Sequence, residues 1–387
     1  MSAFAGYRLP DELQAICEQV RRFIRDEIIP IEQRIDPDAP EIPDEDFRRL
    51  SEKTKAAGLW CLGVREEYGG GGLDTFSMSV ILEEMCQHRM GLYNPGCGVF
   101  GRPPAAFIFG GSREQIRRYA EPAIREGYHT FFAITEPSGG SDPANAIQTR
   151  AQKQGDQWVL NGTKIFISRA DLGEWGVIFA RTDRAKGRAG ISAFIVEKGT
   201  PGFTARPIRT IRTAAVPCEV SLVDCRVPAG NLLGEEGRGL DLALGGVVRQ
   251  RFPYAATNLG VAVAAHRMAI EHAKHRETFG VRLRDRQAIQ WMLVDGEVEL
   301  RAARWLIWEG AWKADRGEDA RVEASIAKLY SSEVLGRVVD YAVQVHGGYG
   351  VSKEFPLERW YREARVRRIG EGPSEVQRMV IARSLFR

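Results

Sequence analysis

What most constrains this chain is where its hydrophobic period changes. Up to about residue 128 apolar residues recur at helical spacing. From Tyr128 to about Leu233 they fall in strand-like runs, and after Gly239 the helical spacing returns. Leu13, Ile16, Val20, Phe23, Ile24 and Ile28 line a first helix that Pro30 is expected to stop. Asp46 to Ala57 reads as a second helix ending at Gly58, with two more over Leu73–Arg89 and Glu114–Glu126. In the middle block, Trp158-Val159-Leu160, Asn161-Gly162 and Ile165-Phe166-Ile167 predict a hairpin, because Asn-Gly suits the two left-handed positions of a tight turn. Trp175–Arg181, Ile191–Glu197 and Cys218–Val227 read as further strands. Later, Ile289, Met292, Leu293, Gly296, Leu300, Ala303 and Ile307 form one apolar helical stripe, and Ala320–Gln344, Pro356–Arg367 and Glu375–Phe386 supply more helices. The expectation is an α+β chain of three parts: an N-terminal α-helical domain (1–128), a central β-barrel or sandwich (129–234), and a C-terminal antiparallel helical bundle (235–387).

Composition closes off several functions. The net charge of +3, without a basic tail or zinc-finger spacing, argues against nucleic acid. The six cysteines never fall as CxxC, so they read as reduced buried thiols of a cytoplasmic protein, and no metal is expected. No apolar run reaches membrane-spanning length without Pro or charge. Met1 to Pro10 lacks the basic start and apolar run of a leader, and Ser384-Leu385-Phe386-Arg387 is not a peroxisomal address. Gly96-Cys97-Gly98-Val99-Phe100-Gly101 fits a dinucleotide fingerprint, but Asn94-Pro95 precedes it where a buried strand belongs, and the match is rejected.

The richest stretch runs from Phe132 to Asp142. It opens as the end of an apolar strand, turns at Pro137, and loses its side chains at Gly139 and Gly140. Thr135, Ser138 and Ser141 bring hydroxyls to the same loop, where free backbone N–H groups suit a phosphate. The plain alternative is a strand followed by a glycine-rich surface turn. The order Thr135-Glu136-Pro137-Ser138-Gly139-Gly140-Ser141-Asp142 closely resembles the flavin-binding signature of the acyl-CoA dehydrogenase family, and the helical, β, helical block order extends the likeness over nearly the whole chain.

Three further motifs support it. Arg276-Glu277-Thr278-Phe279-Gly280 reads by itself as a capped helix end; Gln344-Val345-His346-Gly347-Gly348 suggests close backbone approach, with His346 a core residue; and Glu371 sits between Gly370 and Gly372 in a break between helices. The resemblance implies FAD as cofactor, held by Phe132, Ile134, Thr135, Gly140, Ser141, Phe166, Ser168, Arg276, Thr278, Phe279, Gln287, Gln344, Gly347 and Gly348. It implies that Ser141, Arg251 and Gly372 meet the acyl-CoA substrate, and that the catalytic Glu371 removes its α-proton as the β-hydride leaves for the flavin. Some members carry the base on the helix before RxTFG, but Gln250 stands there and cannot accept a proton. Phe166 and Ser168 replace the family's usual Trp and Thr, and Pro373 replaces the Thr after Glu-Gly. Arg359, Arg362, Arg365, Arg367 and Arg368 are expected on a solvated or intersubunit face. The implied partners are an electron-transferring flavoprotein and further copies of the chain, as a tetramer. Alternatives are a flavin-dependent oxidase or monooxygenase, an enoyl-CoA reductase running in reverse and, remotely, a flavin-free binding protein.

Overall fold

A computed structural model describes residues 8–386; the first seven residues of the N-terminal stretch and the terminal Arg387 lie outside them. The helices are α1 (Asp11–Phe23), α2 (Ile29–Arg34), α3 (Asp44–Ala56), α4 (Thr75–Met85), α5 (Arg113–Gln115), α6 (Glu121–Glu126), α7 (Pro143–Ala146), α8 (Gly239–His275), α9 (Gln287–Asp315), α10 (Arg321–His346), α11 (Leu357–Arg367) and α12 (Ser374–Leu385). The strands are β1 (Thr130–Ala133), β2 (Arg150–Gln154), β3 (Gln157–Ser168), β4 (Trp175–Arg181), β5 (Ile191–Glu197), β6 (Phe203–Pro207), β7 (Pro217–Pro228), β8 (Leu232–Leu233), β9 (Glu277–Thr278) and β10 (Val281–Arg282). The helical, strand and helical blocks fall where the periodicity places them.

The chain divides into two compact units. One holds the chain up to Glu52, Leu73–Cys97 and everything from Arg249; the other holds Lys53–Gly72 and Gly98–Val248.

In the first unit α10 packs on α9, α11 and α12, α9 on α4, and α4 on α1. Arg304 of α9 forks onto the buried Glu83 of α4, and Asp315 at the end of α9 accepts the orphan amides of Thr75 and Phe76 at the start of α4. Pro30 does not stop the first helix. A π turn at Ile24–Ile28 widens the coil just before it, so the missing N–H breaks no bond and helix continues to Arg34. The second unit uses the same device, with a π turn over Ile116–Ala120 ahead of Pro122. Glu32, His88 and Cys97 bring potential metal ligands within 4.8 Å, but the Glu32 carboxylate is already committed to His88 Nδ1 and the amides of Arg89 and Met90.

The second unit is built on one sheet of order β6-β7-β3-β2-β4-β5-β8, with β1 pairing β4 in parallel. Successive residues of β4 feed two different cores: Trp175, Val177 and Phe179 join one, Ile178 and Ala180 the other. Burial on both faces explains why β4 and β5 read as unbroken apolar runs.

The predicted Asn161-Gly162 hairpin is corrected here. Gln157–Ser168 is a single strand, and the chain reverses earlier, at Gly155-Asp156, where Gln154 pairs with Gln157. Asn161-Gly162 is a bulge instead: the Asn161 side chain joins Asp224, and a Cβ on Gly162 would stand 2.4 Å from Thr149 Oγ1.

Candidate active site

In the second unit the Thr135–Asp142 loop follows β1 as a tight turn. Backbone bonds run both ways between Glu136 and Gly139, at 3.2 and 2.9 Å, with Pro137 and Ser138 at the corner. Beneath the turn lies a buried acid that the motif letters do not explain. Glu136 accepts the amides of Gln148 (2.7 Å) and Thr149 (3.0 Å) and the ammonium of Lys164 (2.8 Å). Burial alone would raise its carboxyl, but Lys164 and these donors outweigh it and hold the group below the usual range. Desolvation brings the Lys164 ammonium down to about 8, against the pull of Glu136. Lys164 also reaches the Ile134 carbonyl, so the pair ties β3 to the strand that launches the loop.

The residues above this pair are available. Phe132, Ile134 and Thr135 are half-buried, Gly140 and Ser141 exposed, and a Cβ on Gly140 would sit 2.9 Å from Thr135 Cγ2. Phe166 lies at a register break between Lys164 and Ile167, in a left-handed conformation (φ 59°) that leaves its ring 59% exposed. Ser168 Oγ accepts from Arg212 at 2.9 Å. An outward aromatic face, several hydroxyls and a side-chain-free turn form a donor set that fits a flavin and its phosphates.

In the first unit, Arg276–Gly280 is not a helix cap. Residues 277–278 and 281–282 form a small hairpin, and Phe279 and Gly280, at φ 52° and 73°, are its two left-handed turn residues. Phe279 projects from the tip, 97% exposed; Arg276 and Gln287 are exposed and Thr278 is half-buried. The base of this hairpin meets the end of α10: His272 stacks on His346 with ring centroids 4.3 Å apart, which joins two of the motifs. Both imidazoles are held below the ordinary range, chiefly by burial. Gln344, Gly347 and Gly348 are exposed there; Gly347 needs its left-handed φ of 60°, while a Cβ on Gly348 would have nothing within 4 Å among the described residues.

Glu371 occupies the break between α11 and α12 in a left-handed conformation (φ 57°), followed by Gly372 at 83°. The loop is pinned through its carbonyls: Lys328 Nζ donates to Gly372 O (2.8 Å), and Gln377 Nε2 to Gly372 O (2.9 Å) and Glu371 O (3.2 Å). By surface area Glu371 is exposed, yet the protein crowded around its carboxyl displaces enough water that lost hydration governs its chemistry. Desolvation raises the carboxyl, against the opposing pull of Arg367, Arg251 and Lys328. Arg251 is half-buried beside this loop, with one weak bond to Ser325 (3.4 Å) and no partner for its Nε. Pro373 forms the N-cap of α12 and leaves the first helical position to Ser374.

The first unit thus carries a proton-hungry carboxylate with no ion pair among the described residues, and the second carries hydroxyls, backbone amides and an aromatic face suited to a flavin. Family models described as the N-terminal, middle and C-terminal domains of acyl-CoA dehydrogenase match residues 10–126, 131–225 and 237–386. The chain belongs to the acyl-CoA dehydrogenase family. Among its relatives are a 3-(aryl)acrylate reductase of Clostridium sporogenes (36% identical, covering 97% of this chain and 99% of the relative) and a short-chain specific acyl-CoA dehydrogenase of Clostridium acetobutylicum (34%, covering 98% and 100%). The solved butyryl-CoA dehydrogenase of Megasphaera elsdenii superposes with a TM-score of 0.88 at 33% identity, over 98% of this chain and 100% of that one.

FAD is the cofactor of the acyl-CoA dehydrogenase family, and the chain is an oxidoreductase. Sequence reasoning missed Glu136–Lys164, Lys328 and Gln377, all of which act from beneath. A lysine inside the apolar face of α10, with Ser325, Ser332 and Leu335 buried around it, was the available signal for Lys328. The arginine run is corrected as well. Arg359 and Arg367 are buried, bonded respectively to Glu363 with the Pro37 and Ala39 carbonyls, and to Asn258, Thr257 and Tyr254 O; Arg365 and Arg368 are exposed.

Proposed function

We propose that this acyl-CoA dehydrogenase oxidises a saturated acyl-CoA at Cα–Cβ to the trans-2-enoyl-CoA, with Glu371 as the base. The raised, unpaired Glu371 carboxyl carries this reading. An α-proton beside a thioester is very weakly acidic, and a desolvated carboxylate is the side chain suited to take it. Arg251 next to the same loop offers an under-used donor for the substrate, and Gly372 joins it by the family resemblance, with a side chain there barred by Gln377 Nε2 at 2.6 Å from the Cβ position. FAD supplies the two-electron redox chemistry when bound. Phe132, Ile134, Thr135, Gly140, Ser141, Phe166 and Ser168 would hold it in one copy of the chain, and by the family resemblance Arg276, Thr278, Phe279, Gln287, Gln344, Gly347 and Gly348 would reach the flavin of a neighbouring copy. In this reading residues 1–128, 129–234 and 235–387 serve as the three functional domains.

The same base serves the reverse reaction. By microscopic reversibility the same carboxyl, once protonated, returns the proton to Cα, and the likeness to an acryloyl-CoA reductase of Anaerotignum propionicum gives enoyl-CoA reduction a specific footing.

The proposal extends to assembly. One face of α9 leaves Trp291, Val294, Val298, Trp305 and Trp312 exposed in steps of three, four and seven residues, a stripe suited to another copy of this chain. A homotetramer handing electrons to an electron-transferring flavoprotein in the cytoplasm follows from the family reading. No helix among the described residues is long and apolar enough to cross a membrane, and the six cysteines are buried thiols outside any disulfide.

The test is the visible spectrum of the purified protein under anaerobic conditions with a panel of saturated acyl-CoAs. Bleaching of the flavin band by one thioester class is expected. A flavin that no acyl-CoA bleaches, and that no enoyl-CoA reoxidises once reduced, overturns the reading.

A further inference from the structure

The base loop needs outside support. Two successive residues, Glu371 and Gly372, lie in the left-handed region, and the first is not a glycine. Their carbonyls turn toward α10 and α12, where Lys328 and Gln377 receive them. Lys328 is fully buried, and burying an ammonium is costly unless it is compensated. Its ammonium donates to Gly372 O, while Glu371 and Glu333 favour its charge from a distance.

We infer that Lys328 and Gln377 are the positioning residues of the proposed base, Gln377 fixing the loop and Lys328 both fixing it and setting the proton affinity of Glu371 through its charge. This rests on the reading of Glu371 given above. The charged groups facing Glu371 are Arg251 from α8, Lys328 from α10 and Arg367 from α11. A guanidinium is not deprotonated in proteins, so of these three neighbours Lys328 is the one whose charge can change. Burial and the two arginines bring it down to about 8. As pH rises through that region the loop loses a cation, and the pull that holds Glu371 ionised weakens.

The experiment compares the holoenzyme with Lys328→Met, Lys328→Arg and Gln377→Leu, with FAD content and thermal melting recorded for each. Two readouts are taken across pH. One is the rate of flavin bleaching by a reactive acyl-CoA. The other is an infrared difference titration of 13C-glutamate-labelled protein against the Glu371→Gln variant, which reports the Glu371 carboxyl without any substrate.

Lys328→Met is expected to move the Glu371 midpoint upward by about one pH unit. Gln377→Leu is expected to slow bleaching roughly tenfold and leave the midpoint in place. Lys328→Arg, whose charge does not titrate, is expected to keep the midpoint of the parent enzyme and to abolish its inflection near the Lys328 value of about 8. An unmoved midpoint in Lys328→Met overturns the inference. If Lys328→Met does not fold, an inflection that persists in Lys328→Arg overturns it instead. Absence of bleaching in the parent enzyme would sink the proposed function, and the infrared titration would still decide the role of Lys328.

Discussion

Two glutamates, one in each unit, show how a fold gives the same side chain opposite proton affinities. For both Glu136 and Glu371 the largest single influence is desolvation, which favours the neutral acid. Their carboxyls nevertheless shift in opposite directions. Glu136 accepts three direct donors, and these overcome the cost of burial. Glu371 has three cations near it but no ion pair among the described residues, and charge at a distance does not offset the lost water. A cation in direct contact, with the hydrogen bonds beside it, decides the sign. A carboxylate meant to stay ionised is saturated with donors, while one meant to exchange a proton is left without them.

The comparison breaks most sharply at Glu371. Glu371→Gln should lower the rate of flavin bleaching by acyl-CoA by about a thousandfold while FAD stays bound; stopped-flow and the resting spectrum together check this. At the anchor the loss should appear in stability. Removing one partner of the buried pair, as in Glu136→Ala or Lys164→Met, should cost about 3–5 kcal/mol in urea unfolding, because the other charge is left buried alone. The Glu136–Lys164 double replacement by apolar residues should cost less than either single change.

The opposite shifts also predict opposite pH behaviour. Glu371 must be ionised to act as a base, so bleaching should fail as pH drops through a value above the usual carboxylate range. Glu136 has its folded-state value depressed, so its contribution to stability is complete above the unfolded value and disappears only as pH falls through the lower, folded one. Moving from neutral toward acid, activity should therefore disappear before this anchor weakens, which parallel rate and melting profiles can test. The smallest effect is expected at Gly140→Ala. Its Cβ would crowd Thr135 Cγ2 at 2.9 Å, a strain of about 1 kcal/mol that a rotation of Thr135 relieves in part, read as a modest loss of FAD affinity.

Much of the fold was legible because helices and strands impose different periods on the same apolar residues. The bounds of β4 and β5 and the existence of α9 through α12 followed from that alone. The failures share one cause: a local signal was overruled by its surroundings. Asn-Gly suits a turn in isolation, but here the strand runs on and the pair becomes a bulge against β7. Pro30 ends a regular helix, but a π turn removes the bond it would break. Arginines in series read as a surface, yet Arg359 and Arg367 point inward to acceptors supplied by distant segments.

The candidate site divides in the same way. The sequence by itself determined the residues that would face a ligand: the hydroxyls and glycines of Thr135–Ser141, the turn at Phe279-Gly280, and Glu371 between two glycines. Those residues are adjacent in the chain and have no regular secondary-structure role, so the pattern betrays them. Only the tertiary structure decided what each of them can do. The proton affinity of Glu371 and the rigidity of its loop depend on desolvation by the surrounding protein and on Lys328, Arg251 and Arg367, which come from three different helices. Desolvation and electrostatic fields are summed over neighbours in space, and the order of residues along a chain does not record them.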